Sequence, residues 1–204
     1  MGEKYSITPL FNIFNIIPEF LLDLKDKKIC SCGNAYVRDF QFGSLLLLTT
    51  EELQETQGKV EIATNKKLSN YSNPCLKCGQ IFPTQRIIIK FPTFFFILLE
   101  VCDSFNSLDS RQNFQYFYVL TLQSTIILEN HFYELAAICY FQAFHYTAHI
   151  NNASFPQIQL NSVNWNYHDG IQNDGKLVES IPSLEYRMKE SSNIPYILMY
   201  KTKI

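Results

Sequence analysis

Short apolar runs rich in β-branched and aromatic residues follow one another along the second half of the chain. Strands favour these residue types, because such side chains pack well on a pleated surface. We therefore predict strands over residues 86–90, 93–101, 114–122, 125–128, 133–140, 145–150, 164–168, 176–178 and 196–201. Strands 133–140 and 145–150 are expected to form an antiparallel pair joined by a short turn.

The beginning of the chain carries a different pattern. Apolar residues over 8–27 have a helical tendency, which Pro18 interrupts, so any helix there is expected to be short or kinked. Residues 36–48 are again rich in aromatic and aliphatic side chains, and this predicts one or two strands.

Helix signals are few in the middle of the chain. Thr49 and Glu52 have the spacing of a capping box, which predicts a short helix to about residue 57. The polar segment 63–74 contains several asparagines and a proline, and it predicts a loop or a fingertip. The predicted fold class is therefore α+β, with most of the chain in strands.

Composition and charge narrow the classes of protein. The chain has 204 residues, of which 47% are hydrophobic, enough for a substantial core. A net charge of −2 gives no electrostatic case for binding nucleic acid. The densest apolar stretch, 87–102, contains Lys90, Pro92 and Glu100, so no membrane span is predicted. No secretory signal is visible, and we expect an intracellular protein, cytoplasmic or nuclear.

Four of the six cysteines form two close pairs, each followed directly by a glycine: Cys30 and Cys32 before Gly33, and Cys75 and Cys78 before Gly79. Four thiolates can hold zinc tetrahedrally when each pair lies on a tight turn, and such turns favour glycine at a positive φ. The first pair is separated by one residue, where two are usual. We predict a structural Zn²⁺ site; the alternative is four reduced thiols without metal.

A second candidate group is His145 with Asp169. A thiol protease needs an imidazole to take the thiol proton and a third group to fix the imidazole tautomer. The two residues are 24 positions apart, which suits two neighbouring strands joined by a loop. Taken alone, a histidine among aromatic residues is more often structural.

The order of these motifs resembles that of the ubiquitin-specific protease family. The matching residues are Tyr133-Glu134-Leu135, then His145-Tyr146, then Trp165 with Asp169 four positions later, then Leu198-Met199-Tyr200. The family also has a zinc-binding fingers ribbon of two cysteine pairs, followed by a hydrophobic strand led by proline. The two cysteine pairs and residues 92–99 fit that arrangement, so the resemblance covers about residues 25–201.

The resemblance implies a papain-like cysteine protease fold of the ubiquitin-specific protease type, with the helical thumb largely missing. Residues 1–204 would form a single partial domain, with the zinc ribbon over about 25–90 and the palm over about 91–201. It also implies the roles of particular residues. His145 would be the general base and Asp169 would orient it. Tyr146 and Trp165 would help to bind the tail of ubiquitin or of a ubiquitin-like protein.

The nucleophilic cysteine of that family is not found at its expected place. Residues 1–29 contain no cysteine, and Cys139, six residues before His145, lies in an apolar run. The sequence also has Phe144 and Gly170 where the family often has a glycine and a second acidic residue. Four hypotheses stay open: part of an active deubiquitinase, a pseudoprotease that still binds ubiquitin, an inactive degenerate copy, and a zinc-stabilised scaffold for other proteins.

Overall fold

The computed structural model describes residues 16–69, 71–100, 123–142, 145–151, 165–169, 177–181 and 194–203. The strands are β1 (Leu21–Ile29), β2 (Ala35–Gly43), β3 (Leu45–Leu48), β4 (Tyr71–Pro74), β5 (Ile81–Lys90), β6 (Phe94–Leu99), β7 (Thr125–Leu128), β8 (His131–Gln142), β9 (His145–Asn151), β10 (Trp165–Asp169), β11 (Leu177–Ile181) and β12 (Ile194–Thr202). The helices are α1 (Thr50–Glu55) and α2 (Val60–Ser69), with a 3₁₀ turn at Pro18–Phe20. The described fold is thus mostly β-sheet with few helices.

Two hairpins form a four-stranded antiparallel sheet in the order β2-β1-β5-β4. The β1–β2 hairpin turns at residues 30–34, and the β4–β5 hairpin turns at residues 75–80. Because β1 pairs antiparallel with β5, the end of β1 lies beside the beginning of β5. Both turns therefore lie at the same end of the sheet. We call this sheet with its two turns the ribbon.

The other eight strands form a second sheet, which we call the palm sheet. Its order is β11-β10-β9-β8-β12-β6-β3, and β7 pairs with β8 outside this path. The neighbours are antiparallel except β3 and β6, which are parallel. The predicted hairpin of 133–140 with 145–150 is confirmed as β8 and β9.

One hydrophobic core joins the ribbon to the palm sheet. Leu22, Leu24 and Ile88 at the base of the ribbon belong to the same buried cluster as residues of the helices and of the palm sheet. Its members from those elements include Leu53, Val60, Leu68, Phe95, Ile97, Leu99, Ile126, Tyr133, Ile138, Leu198 and Tyr200. Burial of side chains of this size stabilises a fold by about 1.5–3 kcal/mol each. The base of the ribbon is therefore part of the main core.

Farther along β1, the buried face changes from apolar to charged. Asp26 lies opposite Arg86 across the β1–β5 pair. Its two carboxylate oxygens accept hydrogen bonds from Arg86 Nε at 2.8 Å and from Nη2 at 3.0 Å. Both side chains are almost fully buried. A forked pair of this kind fixes the register of the two strands, because one guanidinium plane must meet one carboxylate.

The helical tendency predicted over 8–27 is wrong for the described part of that segment. Residues 18–20 form only a 3₁₀ turn, and β1 begins at Leu21. Along β1 buried and less buried residues alternate, which is the period of a strand. Asp26 and Lys28 also occupy buried positions in that alternation. Because they are charged, the apolar pattern in the sequence stops at Leu24, before the strand ends. Residues 8–15 lie outside the described residues.

Residues 63–74 are predicted to be a loop or a fingertip. The loop is wrong, since α2 continues to Ser69, whereas β4 belongs to the hairpin that carries the second cysteine turn. The buried residues of α2 are Val60, Ala63, Thr64 and Leu68. They have helical spacing, but two of them are small or polar, which weakened the apolar signal. The helix predicted after Thr49 is confirmed, including both hydrogen bonds of its capping box. The strand predicted over 114–122 lies outside the described residues.

Candidate functional site

The two turns at the end of the ribbon are cysteine knuckles, each closed by backbone hydrogen bonds. In the first, Cys30 N–H donates to the Asn34 carbonyl at 3.0 Å, and Gly33 N–H donates to the Cys30 carbonyl at 2.9 Å. In the second, the Cys75 N–H donates to the Gln80 carbonyl and the Gly79 N–H to the Cys75 carbonyl, both at 2.8 Å. These bonds fold each cysteine pair back on itself.

The glycine after each pair is needed for backbone conformation. Gly33 has φ +81° and Gly79 has φ +72°, which is the left-handed region that glycine adopts without steric cost. A Cβ atom built on either residue would meet nothing within 4 Å, so space is not the constraint. The positive φ expected from the sequence is confirmed at both positions.

The four thiols converge on one point between the knuckles. Cys30 Sγ lies 3.4 Å from Cys78 Sγ, and Cys32 Sγ lies 3.8 Å from Cys75 Sγ. All four sulfur atoms lie within 4.8 Å of one another. Zinc bound tetrahedrally at about 2.3 Å from each sulfur holds its ligands about 3.8 Å apart. The cluster therefore fits the predicted structural zinc, with Cys30, Cys32, Cys75 and Cys78 as ligands.

Hydrogen bonds around Cys75 favour the thiolate, which is the form that binds metal. The backbone N–H groups of Cys78 and Lys77 lower the pKa of the Cys75 thiol to about 6. Hydrogen bonding to the Cys30 thiol has the opposite effect on Cys32 and Cys78 and raises their pKa. Asn34 Nδ2 also donates to Cys75 Sγ, at 3.6 Å, from the opposite knuckle. Asn34 was not predicted as part of the site; its place directly after Gly33 is the only sequence signal for this role.

The second candidate group lies on the palm sheet, across β9 and β10. Asp169 is paired with Thr147, and His145 lies two residues before Thr147 on the same strand. Positions two apart on a strand share a face, so the register puts position 145 and Asp169 on the same face of the sheet. Diagonal neighbours of this kind are about 7–8 Å apart, within reach of long or aromatic side chains.

Asp169 lies in a buried polar row. Only 4% of its surface is exposed. Thr147, its paired residue on β9, and Tyr140, which pairs with Thr147 on β8, are buried as well. Electrostatic interactions are stronger in such an environment than at the surface, since little water screens them. This position therefore suits a carboxylate that must hold one partner firmly.

His149 lies on the same face of β9, four residues beyond position 145, and serves the packing of the sheet. Its ring contacts Tyr140 at a centroid distance of 5.2 Å and Tyr167 at 5.1 Å. The side chain is only 3% exposed. Since β9 is a strand, the two histidines do not form the helical zinc motif of metalloproteases.

The two residues predicted to bind the ubiquitin tail lie on opposite faces of the palm sheet. Trp165 is buried in the core cluster, on the face that carries Asp169. Tyr146 is exposed on the other face and contacts Tyr196, with ring centroids 6.0 Å apart. Their role in binding ubiquitin stays a prediction.

Cys139 is close to His145 in the sequence but lies on the other face of the sheet from Asp169. It is paired with Ala148, whereas its neighbour Tyr140 is paired with Thr147. Adjacent strand residues face opposite sides, so Cys139 lies on the face of the sheet away from Asp169. Burial raises the pKa of its thiol to about 11, which disfavours the reactive thiolate. Of the described cysteines, none lies on the face that carries Asp169.

Within the described residues, no helix combines the length and apolar character needed to cross a bilayer.

Comparisons with known proteins point to one fold. No protein-family model and no curated protein matches the chain. Among solved structures, the Ubp8-Sgf11-Sgf73-Sus1 SAGA DUB module matches over 91% of this chain with a TM-score of 0.58 and 17% identity. A SAGA DUB module with a Ubp8 variant bound to monoubiquitin matches over 91%, with a TM-score of 0.53 and 16% identity.

The module bound to ubiquitin aldehyde also matches over 91% of the chain, with a TM-score of 0.51 and 17% identity. The match covers only 40% of the matched chain in the first of these structures, 41% in the second and 42% in the third. At these identities the likeness is one of fold. The described residues thus share a fold with part of a deubiquitinase module, and they hold four cysteines close enough to bind a metal ion.

Proposed function

We propose that this chain is the ribbon-and-palm part of a ubiquitin-specific protease-like domain with a papain-like fold, and that it binds ubiquitin or a ubiquitin-like protein. The observation that carries the proposal is the β9–β10 register, which brings position 145 to the same face as the buried Asp169. The matched solved structures support it, since two of them contain ubiquitin or ubiquitin aldehyde.

The proposed chemistry follows from the pair. His145 Nε2 takes the proton of a cysteine thiol, while Asp169 accepts the Nδ1 proton and fixes the tautomer. The thiolate then attacks the carbonyl carbon of the last glycine of ubiquitin and forms a thioester, while the bond to the following amine breaks and the protonated His145 gives its proton to that amine. Water releases the acyl group. Tyr146 and Trp165 are assigned to the ubiquitin tail.

In this proposal His145 is the base and Asp169 is the group that orients it; none of the described cysteines lies on the face of the sheet that carries Asp169. Cys102 lies outside the described residues. We therefore expect the chain alone to bind ubiquitin without cleaving it. A metal site of four cysteines needs them reduced, which suits a reducing compartment, so we place the protein in the cytoplasm or nucleus.

Ubiquitin carrying an electrophile at its C-terminus tests both statements. Incubated with the zinc-loaded chain, this probe should give no covalent adduct by mass spectrometry. Titrating ¹⁵N-labelled ubiquitin with the chain should still shift amide signals at the ubiquitin tail, and less so with Tyr146→Ala. An adduct at Cys139 would contradict the assignment of the faces. Absence of any shift at millimolar protein would refute binding.

The His–Asp pair can be tested without activity. A carboxylate beside an imidazole favours the charged ring, so Asp169→Asn should lower the pH midpoint of the His145 ring signals in NMR. The signals of His131, on another strand, serve as the internal reference. If Asp169→Asn leaves His145 unchanged, the two residues do not interact, and the protease assignment loses its basis.

A second candidate is a pseudoprotease that binds ubiquitin permanently without catalysis. The observation that favours it is the position of Cys139 on the face away from Asp169. The pH titration of the His145 ring, in the chain and in its Asp169→Asn variant, separates the two candidates. A pseudoprotease needs no interaction between His145 and Asp169, whereas an enzyme part requires it.

A further inference from the structure

The two faces of the ribbon are covered to different degrees. Along β1, Leu22, Leu24, Asp26 and Lys28 are buried, whereas Lys27 and Ile29 between and beyond them are exposed. Since alternate residues of a strand face opposite sides, β1 is covered on one face and open to solvent on the other, which we call the open face. The open face has no function in the proposed chemistry.

Large aliphatic side chains stand on the open face near the cysteine knuckles. Ile29 is 80% exposed, Val37 59% and Ile81 72%. Val37 is paired with Lys27, two residues before Ile29. Gln85 is also paired with Lys27, and Ile81 lies four residues before it on the same strand. The register therefore puts all three on one face. Leu76, 92% exposed, lies in the adjacent knuckle.

Two lysines accompany these apolar residues. Lys27 lies between Val37 and Gln85 on the open face, and Lys77 follows Leu76 in the second knuckle; both are exposed. Neither is in an ion pair with another described residue. The nearby Lys25 is different, because Asp39 lies 3.3 Å away and neutralises it. We call Ile29, Val37, Ile81, Leu76, Lys27 and Lys77 together the ribbon patch.

We propose that the ribbon patch is a docking surface for an acidic protein segment that carries apolar side chains. A cluster of exposed aliphatic residues costs hydration free energy unless a partner covers it, and such clusters mark interaction sites. The two lysines, which form no ion pair with the described residues, select a partner of negative charge. The apolar members are aliphatic, whereas single-stranded nucleic acids stack on aromatic side chains. This site is separate from the His145–Asp169 face and from the function proposed for it.

The test uses the full chain, loaded with zinc and labelled with ¹⁵N. It is titrated with a peptide of alternating Glu and Leu pairs, the same peptide with Lys for Glu, oligothymidylate and unlabelled ubiquitin. The acidic peptide should shift the amide signals of Lys27, Val37 and Ile81, and the basic peptide should not. Replacing both lysines, Lys27→Glu with Lys77→Glu, should weaken this binding about tenfold.

Lys59→Glu is the matched control, since Lys59 is also exposed but lies before α2, outside the ribbon patch. It should leave binding unchanged. All these side chains are exposed, so the variants should fold. No shift at the patch with the acidic peptide, or equal weakening by Lys59→Glu, would overturn the proposal. Shifts at the patch with oligothymidylate alone or ubiquitin alone would also overturn it and assign the surface to that ligand.

Discussion

Gly33 and Gly79 show how one residue decides the shape of each zinc knuckle. Each follows its cysteine pair with a positive φ, and a side chain there would meet no neighbour. The demand is therefore on the backbone alone. For this reason the glycine after each close cysteine pair predicts a turn with positive φ from the sequence alone, without knowledge of the surrounding packing.

We predict that Gly79→Ala weakens zinc binding about fivefold. An L-residue in the left-handed region costs about 1–2 kcal/mol, and this cost falls on the turn that positions Cys75 and Cys78. Competition with a chromogenic zinc chelator measures the change. Gly58→Ala is the control, because Gly58 also has a positive φ, +74°, but lies between the two helices. It should lower the free energy of unfolding and leave zinc affinity unchanged.

Cys139 offers a second prediction, which depends on pH. Burial raises the pKa of its thiol to about 11 from an ordinary 9.0. The thiolate is the form that reacts, so at pH 8 iodoacetamide should modify Cys139 at least about tenfold more slowly in the folded chain than in urea. The rate should rise as the pH approaches 11.

The raised value also implies a direction for stability. The folded state disfavours the Cys139 thiolate, so its stability contribution is present below pH 9.0 and is lost as pH rises towards about 11. Mass spectrometry with Cys139→Ser as the reference identifies the modified site. Rapid modification at pH 7 would show an activated thiol and would reopen its assignment as a nucleophile.

At the scale of elements, signals between neighbouring residues predicted the turns and the first helix correctly, whereas buried polar residues concealed a strand. The capping box at Thr49 and the two hairpin turns depend on neighbouring residues, and the structure contains all of them. The strand β1 was missed because Asp26 and Lys28 continue its buried face beyond the leucines. What satisfies Asp26 is Arg86, sixty residues away, and no local pattern contains that contact.

The candidate site divides in the same way. The cysteine cluster could be predicted from the spacing of the cysteines and the glycines after them, because each knuckle is formed by neighbouring residues. Only the contact between the two knuckles depends on the rest of the fold. The pairing of Asp169 with Thr147 depends on the register of β9 and β10. The sequence does not determine that register to better than one residue in either direction. A shift of one residue would put Asp169 on the face of Cys139.

We predict that zinc removal loosens the ribbon and leaves the palm sheet intact. Without metal, four thiols within 4.8 Å lose the bonds that hold the two knuckles together. Hydrogen exchange with a chelator should accelerate at the knuckle ends of β1, β2, β4 and β5. The amides of β8 and β12 should stay protected.

Cys75→Ser should reproduce the effect of the chelator, and Cys139→Ser, outside the cluster, should not. If exchange in the ribbon is the same with and without chelator, the four cysteines do not hold a structural metal.

At the scale of the whole molecule, the ribbon and the palm sheet share one core although they are separate sheets. Leu24 and Ile88 are paired across β1 and β5, and both belong to the cluster that contains Leu198 and Tyr200. A zinc site at one end of the ribbon and a palm at the other are thereby connected through buried side chains. This arrangement predicts that the base of the ribbon unfolds together with the palm.

Ile88 and Ile89 test that connection as neighbours of one residue type. Ile88 is 8% exposed and lies in the core, whereas Ile89 is 57% exposed. Ile88→Ala should therefore lower the free energy of unfolding by about 2–5 kcal/mol, and Ile89→Ala by far less. Trp165, the single tryptophan, reports on the palm by its fluorescence, and zinc release reports on the ribbon. In urea, Ile88→Ala should shift both transitions together, because one core supports both. If Ile88→Ala moves zinc release alone, the two sheets unfold independently and the shared core contributes little to the palm.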